Sequence, residues 1–275
     1  MKLIAKKFFD LKAQKKPVFI GYICAGDPDY KTSLNLLKLL PQAGCDIIEL
    51  GVPFLDPSGD GPIIENASKR AISAGMTLKK TLKMAAEFRK DDKKTPLILM
   101  SYYNPILKYG LDKIFIDADK SGINGILIVD LPFEESAEIL LHLKKSNLDF
   151  INLIAPTTDF KRMKKIVKNS SGFLYLISML GVTGANIKTA TIDNKKNLQN
   201  LRKASDLPIA IGFGIKTPDQ AKEFADMGFD GVIVGSTLVK EISDNFLDGK
   251  SSAEIVAVLT KKVAEFSKAI HLGES

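Results

Sequence analysis

Two carboxylates in the first quarter of the chain could perform acid–base chemistry. Glu49 stands inside the apolar run Ile47–Leu50, and Asp60 follows in a loop rich in proline and glycine. A buried acid is costly unless it is paired or functional, and no lysine or arginine stands at another strand end to form a salt bridge with it. Burial raises the pKa of a carboxyl group, which would suit Glu49 to proton transfer near neutral pH. Asp60 could hydrogen-bond a donor on a substrate.

Two glycine-containing segments, Gly212–Ile215 and Gly235–Thr237, could bind an anion. Glycine lets backbone N–H groups approach a phosphate closely, and a helix beginning after Ser236 would add its positive end. We therefore expect a phosphate site at Gly214, Gly235 and Ser236. Tight turns that need glycine only for a positive φ are the alternative interpretation.

The segment Gly181–Asn186 and the polar residues after it, up to about Asp193, read as one long loop. A loop of that length is unusual in a compact fold unless it has a function, so we expect a lid over the site. Gly184 could supply a further backbone donor to the phosphate.

Apolar and aromatic side chains at the other strand ends would form the walls of a pocket. The expected wall residues are Tyr22, Tyr102, Leu127, Leu153 and Tyr175. Each of them singly is more typical of a core position, but together they favour a substrate with a flat hydrophobic part.

Eight short apolar runs must position these groups. They are Val18–Ile23, Asp46–Leu50, Leu97–Ser101, Gly125–Val129, Phe150–Ile154, Phe173–Ile177, Ile209–Ile211 and Gly231–Val234. Continuous apolar character is typical of parallel strands buried on both faces. Amphipathic helical segments lie between them, among them Tyr30–Leu40, Leu78–Phe88, Glu134–Lys145 and Gln220–Met227.

The spacing of the runs indicates the architecture. Their mean repeat of roughly 30 residues predicts an α/β fold, a single-domain (β/α)₈ TIM barrel over residues 1–275 with an additional N-terminal helix. A doubly wound sheet is the competitor, but no Gly-x-Gly-x-x-Gly follows the first run. In such barrels chemistry occurs at the carboxyl ends of the strands, and phosphate binds after strands seven and eight, where both glycine segments fall.

Composition excludes several other classes of protein. Hydrophobic residues make up 45% of the 275 residues and charged residues 26%, which is typical of a globular protein. No apolar run is long enough to cross a bilayer, and no secretory signal is recognisable, so a cytoplasmic location is expected. Two cysteines and two histidines provide no metal site. The net charge of +7 comes from scattered lysines, so no nucleic-acid partner is expected.

Several segments together resemble a known family, the α subunit of tryptophan synthase. The segments that carry the resemblance are Gly21–Pro28, Ile48–Phe54, Asp60–Pro62, Ser101–Pro105, Val129–Pro132, Ala155–Thr158, Gly181–Gly184 and Gly212–Ile215. The resemblance implies cleavage of indole-3-glycerol phosphate into indole and glyceraldehyde 3-phosphate, a step of tryptophan biosynthesis. It also implies an α–β–β–α complex, in which the β subunit carries pyridoxal phosphate and this chain carries no cofactor.

The resemblance also implies roles for single residues. Glu49 matches the group that protonates C3 of the indole ring, and Asp60 the acid that stabilises positive charge on the indole nitrogen. Tyr175 matches a pocket tyrosine, and Thr183 a lid residue that contacts the loop after strand two. Gly184, Gly214, Gly235 and Ser236 match the phosphate ligands.

The loop after strand two departs from the family pattern. It reads Leu-Asp-Pro-Ser-Gly-Asp-Gly over Leu55–Gly61, as if the family's serine and leucine had changed places. In the family this loop faces the β subunit. An alternative hypothesis is therefore a barrel of weak activity that mainly binds and activates a β subunit. A third is another phosphate-binding barrel enzyme, such as an isomerase of the same pathway.

Overall fold

Eight parallel strands form the centre of the structure, a computed structural model that describes residues 1–178 and 187–272. The strands are β1 Val18–Cys24, β2 Ile47–Gly51, β3 Leu97–Ser101, β4 Gly125–Ile128, β5 Asp149–Ile154, β6 Leu174–Ile177, β7 Ile209–Gly212 and β8 Gly231–Val234. They pair in chain order, and β8 pairs with β1, so that the sheet closes on itself. This order confirms the predicted α/β barrel of the TIM type.

Helices surround the strands along the described chain. They are α1 Leu3–Ala13, α2 Tyr30–Leu39, α3 Pro62–Ser73, α4 Leu78–Asp91, α5 Tyr103–Tyr109, α6 Leu111–Lys120, α7 Ala137–Leu143, α8 Phe160–Lys168, α9 Ile187–Ala204, α10 Pro218–Asp226, α11 Ser236–Leu247 and α12 Ser252–His271. None of these helices combines the length and apolar composition that a membrane span requires.

The predicted N-terminal helix is α1, and it closes the amino-terminal end of the barrel. Gly125 and Gly231 are the first residues of β4 and β8, and Cβ atoms built there would lie 2.9 Å from Cδ1 of Ile4 and 3.3 Å from Cε1 of Phe8. The ring of Phe8 packs against that of Phe173 with 5.5 Å between centroids. The opposite end, where the strands terminate, is left for the site.

Local signals in the sequence set several helix ends. The Thr217 side chain accepts a hydrogen bond from the Gln220 N–H at the start of α10, and Ser251 with Glu254 forms a capping box on α12. Glycines also end the helical segments before β2, β4 and β8, where Gly44, Gly122 and Gly228 all have a positive φ.

Two expectations about helices are corrected. The segment Glu134–Lys145 is a 3₁₀ turn, Phe133–Glu135, followed by the short α7. The Ser136 hydroxyl donates to the Phe133 carbonyl at 2.7 Å, a local bond that competes with a continuous helix. The long loop expected up to Asp193 ends earlier, because α9 begins at Ile187. Residues Thr183 and Gly184 lie outside the described residues.

Candidate active site

A cavity of about 230 Å³ opens at the carboxyl ends of the strands. Its lining comes from strand ends and from the loops that follow them, as expected for this architecture. The residues around it are Tyr22, Glu49, Asp60, Gly61, Pro62, Ile63, Ile64, Met100, Tyr175, Phe213, Gly214, Ile215, Ile233, Gly235 and Ser236. The barrel therefore brings together the two predicted carboxylates and the two predicted glycine segments.

Glu49 is the buried acid of this cavity. Only 1% of its surface is exposed, and its Oε1 has no hydrogen-bond partner among the described residues. Burial alone raises the pKa of Glu49 from 4.5 to about 8. A paired cation would lower that pKa, so the alternative of a buried salt bridge finds no support here. A carboxyl group in this state can donate a proton at neutral pH.

Two tyrosines flank Glu49, and glycines in neighbouring strands make room for their hydroxyl groups. A Cβ at Gly51 would lie 2.2 Å from the Tyr22 hydroxyl, and a Cβ at Gly212 would lie 2.4 Å from that of Tyr175. Real side-chain carbons do not approach oxygen so closely, so both positions require glycine. Burial raises the pKa of both phenols well above 10, and the nearby Glu49 and Asp60 raise it further. The two hydroxyls are therefore neutral polar groups in an otherwise apolar wall.

Tyr102 holds the loop that carries Asp60. Its hydroxyl accepts a hydrogen bond from the backbone N–H of Gly59 at 3.1 Å, and its ring stacks on Phe54 with 5.3 Å between centroids. Burial raises the pKa of Asp60, whereas the hydrogen bond with Tyr102 lowers it by favouring the carboxylate.

Asp130, two residues after the end of β4, has a structural contact. Its carboxylate accepts a hydrogen bond from the backbone N–H of Tyr103 at 2.7 Å, so it anchors the start of α5.

Another part of the cavity lining is built from the backbone of the loops after β7 and β8. Gly214 has φ 75°, and Phe213 before it has the unusual value of 84° for a residue with a side chain. Ser236 is the first residue of α11, whose first N–H groups have no acceptors within the helix. The Thr237 hydroxyl donates to the Ile215 carbonyl at 2.6 Å and joins the two loops. Free N–H groups and the positive end of a helix suit an anion such as phosphate.

Other predicted wall residues lie elsewhere. Leu127 is fully buried in the barrel interior, and Leu153 lines a different cavity beside Asp130 and Arg162. Tyr102 contacts the loop that carries Asp60 and is not among the lining residues of the cavity.

Sequence reasoning also missed side chains that do line the cavity. They are Pro62, Ile63, Ile64, Met100, Phe213 and Ile233. Met100 comes one residue before the end of β3 and Ile233 one before the end of β8, so their distance from the strand end was a usable signal. Phe213 has a positive φ of 84°, a backbone conformation that no sequence pattern indicates for a phenylalanine.

The described residues include no group of three or more His, Cys, Asp and Glu side chains placed to hold a metal ion. The polar groups that do face the cavity include two carboxylates, two tyrosine hydroxyls and the backbone donors.

Known proteins share both the sequence pattern and the structure. A family model described as "Tryptophan synthase alpha chain" matches residues 8–271. The tryptophan synthase subunit alpha of Legionella pneumophila str. Paris is 35% identical, with a TM-score of 0.89 and 98% of each chain covered. A Mycobacterium tuberculosis tryptophan synthase chain, solved in an aminoacrylate-bound form, is 29% identical with a TM-score of 0.84, covering 98% of this chain and 100% of that one. This chain therefore belongs to the tryptophan synthase alpha chain family.

Proposed function

We propose that Glu49 and Asp60 are the acid–base residues with which this chain carries out its family's reaction, the cleavage of indole-3-glycerol phosphate into indole and glyceraldehyde 3-phosphate. The observation that carries the proposal is the state of Glu49. It is a buried acid with an unpartnered oxygen and a pKa of about 8, and it lines the same cavity as the backbone donors of Gly214, Gly235 and Ser236.

The chemistry of a retro-aldol cleavage fits this arrangement. Glu49 donates its proton to C3 of the indole ring, which leaves positive charge on the ring nitrogen. The hydroxyl next to the bond to be broken then loses its proton to the Glu49 carboxylate, its oxygen becomes the carbonyl of glyceraldehyde 3-phosphate, and the electrons of the broken bond restore the aromatic ring. No water is consumed, and Glu49 ends protonated as it began.

Asp60 has the complementary role in this scheme. Its carboxylate would accept the N–H of the indole and stabilise the positive charge that develops there. The hydrogen bond with Tyr102 supports this role because it favours the charged form of Asp60. A carboxylate that is partly buried interacts more strongly with such a charge than one in bulk water.

Substrate orientation follows from the two ends of the cavity. We propose that the phosphate binds to Gly214, Gly235 and Ser236, with Gly184 as a further donor and Thr183 in a lid. The indole ring would lie against Tyr22, Tyr175 and Met100, and Leu127 and Leu153 would support the walls from behind. A flat apolar ring and a doubly charged phosphate cannot exchange places in such a cavity, so the reacting carbon is presented to Glu49.

We propose further that the chain is a single domain of residues 1–275 that works in the cytoplasm without a cofactor of its own, in an α–β–β–α complex whose β subunit holds pyridoxal phosphate. The loop after β2 would meet that partner. Leu55 supports this proposal because it lies in that loop and 58% of its surface is exposed, so a partner could cover an apolar side chain there.

The experiment is to incubate purified chain with indole-3-glycerol phosphate and to quantify indole and glyceraldehyde 3-phosphate, with and without a β subunit. Equal amounts of both products, at a rate that rises with the β subunit, are expected. Stimulation of the β subunit without cleavage would favour the alternative of a weakly active barrel. Cleavage that the β subunit leaves unchanged would reject coupling through Leu55 and its neighbours.

A further inference from the structure

The position of Asp60 depends on the helix that follows it. Asp60 is separated from the start of α3 at Pro62 by Gly61 alone, and Gly61–Ile64 also line the cavity. The N-cap residue, Gly61, has no side chain with which to fix the beginning of the helix. The loop before it, which includes Leu55, Ser58 and Gly59, is exposed. The Tyr102 hydroxyl holds this loop at one point, the Gly59 N–H, so contacts further along α3 also contribute to where the helix begins.

A largely buried ion pair connects α3 to Asp27, which lies three residues after the end of β1. Nε of Arg70 donates to Oδ1 of Asp27 at 2.8 Å, and Nη2 donates to Oδ2 at 3.0 Å, so that the two groups meet through a pair of parallel bonds. The Asp27 side chain is 0% exposed and that of Arg70 is 19% exposed. Cys24, the last residue of β1, makes a weaker contact with Ser68 of α3, with 3.9 Å between sulfur and oxygen.

The ion pair between Lys69 and Glu65 does not attach α3 to the barrel. Lys69 contacts Glu65 within the same helix at 2.6 Å, and the Lys69 side chain is 51% exposed. This pair therefore stabilises the helix only slightly, and it makes no connection between α3 and another element. Of these two neighbouring basic residues on one helix, only Arg70 has its ion-pair partner outside the helix, and its side chain is the less exposed of the two.

We propose that Arg70, held by Asp27, is a positioning residue for Asp60: the ion pair fixes α3 on the barrel and so sets the place of the carboxylate at its start. The inference rests on the proposed role of Asp60. Arg70 does not line the cavity, so it acts on the reaction only through the helix.

The helix between Arg70 and Asp60 is short enough for a small displacement at Arg70 to move the Asp60 carboxylate. Arg70 lies eight residues after Pro62, which corresponds to about 12 Å along an α-helix. A shift of α3 by about 1 Å at its anchor reaches Asp60 nearly undiminished because a helix is stiff over that length. Misplacement of a catalytic group by about 1 Å can cost up to 10²-fold in rate.

The variant for the test is Arg70→Lys, with Lys69→Met as its matched control. Lysine keeps a positive charge opposite Asp27, so the buried carboxylate is not left alone and the protein is expected to fold, but the pair of parallel bonds is lost. We expect kcat for indole release to fall about tenfold in Arg70→Lys and by less than about twofold in Lys69→Met. The dissociation constant for glycerol 3-phosphate should change by less than about twofold, because the phosphate site lies on other loops.

A double-mutant cycle separates positioning from general stability. In the Asp60→Asn background, Arg70→Lys should lower kcat by less than about twofold, because the group it positions no longer works. An equal loss in both backgrounds would overturn the proposal. Full turnover by Asp60→Asn alone would instead reject the proposed role of Asp60.

Hydrogen exchange provides a readout that needs no activity. The backbone amides of residues 59–61, 63 and 64 should exchange faster in Arg70→Lys than in wild-type protein or in Lys69→Met. Unchanged exchange in this segment would overturn the proposal even if turnover fell.

Discussion

The hydroxyl of Tyr102 accepts a hydrogen bond from the backbone N–H of Gly59 at 3.1 Å, so a residue of the loop after β3 holds the loop after β2. The same hydroxyl interacts with the next residue, Asp60, and lowers its pKa against the effect of burial. One side chain thus fixes the loop backbone and favours the charged form of the carboxylate that the loop presents.

Replacing Tyr102 should therefore affect both position and charge. Tyr102→Phe removes the hydroxyl and keeps the ring that stacks on Phe54. A lost hydrogen bond of about 1 kcal/mol corresponds to about a fivefold lower kcat, and the pKa of Asp60 should rise. The check is the pH profile of kcat/KM, whose acidic limb should move to higher pH. Tyr103→Phe, which removes the neighbouring hydroxyl, is the control, and an equal effect of the two variants would contradict this account.

A side chain at position 212 should lower the free energy of unfolding as long as Tyr175 keeps its hydroxyl. The Cβ of Gly212→Ala would lie 2.4 Å from that oxygen and 2.9 Å from Cβ of Ile233. Overpacking of this kind costs about 1–3 kcal/mol, measurable by denaturant unfolding. Tyr175→Phe in the same protein should restore part of the loss. Gly61→Ala is the comparison, because a Cβ there meets no atom within 4 Å. If Tyr175→Phe restores nothing, the hydroxyl is not the obstacle.

Stability should depend on pH through Glu49. Its pKa is raised from 4.5 to about 8 in the folded protein, so the folded state binds a proton that the unfolded state releases above pH 4.5. Stability is therefore lost as pH rises between these two values. Relative to Glu49→Gln, the wild-type free energy of unfolding should fall by on the order of 3 kcal/mol between pH 5 and pH 8. Parallel pH curves for the two proteins would mean that Glu49 is charged in the fold.

Much of the fold follows from patterns that are local in the chain. Continuous apolar runs at regular spacing predict the barrel, and the signals at Thr217 and Ser251 predict where α10 and α12 begin. Glu49 could be identified as a candidate because an acid within such a run is anomalous wherever the strand lies. Counting the apolar runs along the chain also predicts that Gly214 and Gly235 follow the last two strands.

Relationships between distant segments could not be predicted in this way. Which strand-end side chain faces the cavity depends on barrel packing, so Tyr102 and Leu153 were expected in the walls and Met100 was missed. The hydrogen bond from Gly59 N–H to the Tyr102 hydroxyl and the ion pair of Arg70 with Asp27 join residues far apart in the chain, and no periodicity encodes such contacts. The interruption near Ser136 reflects a local side-chain bond that competes with the helix, although the apolar pattern there is helical.

The most direct test of the account compares indole release by wild-type protein and Glu49→Gln. Glutamine nearly preserves the shape of the side chain but cannot deliver the proton, so cleavage should fall by at least about 10²- to 10⁴-fold. Folding, followed by circular dichroism, and the binding of glycerol 3-phosphate should remain close to wild type. Near-normal turnover by Glu49→Gln would contradict the proposed mechanism.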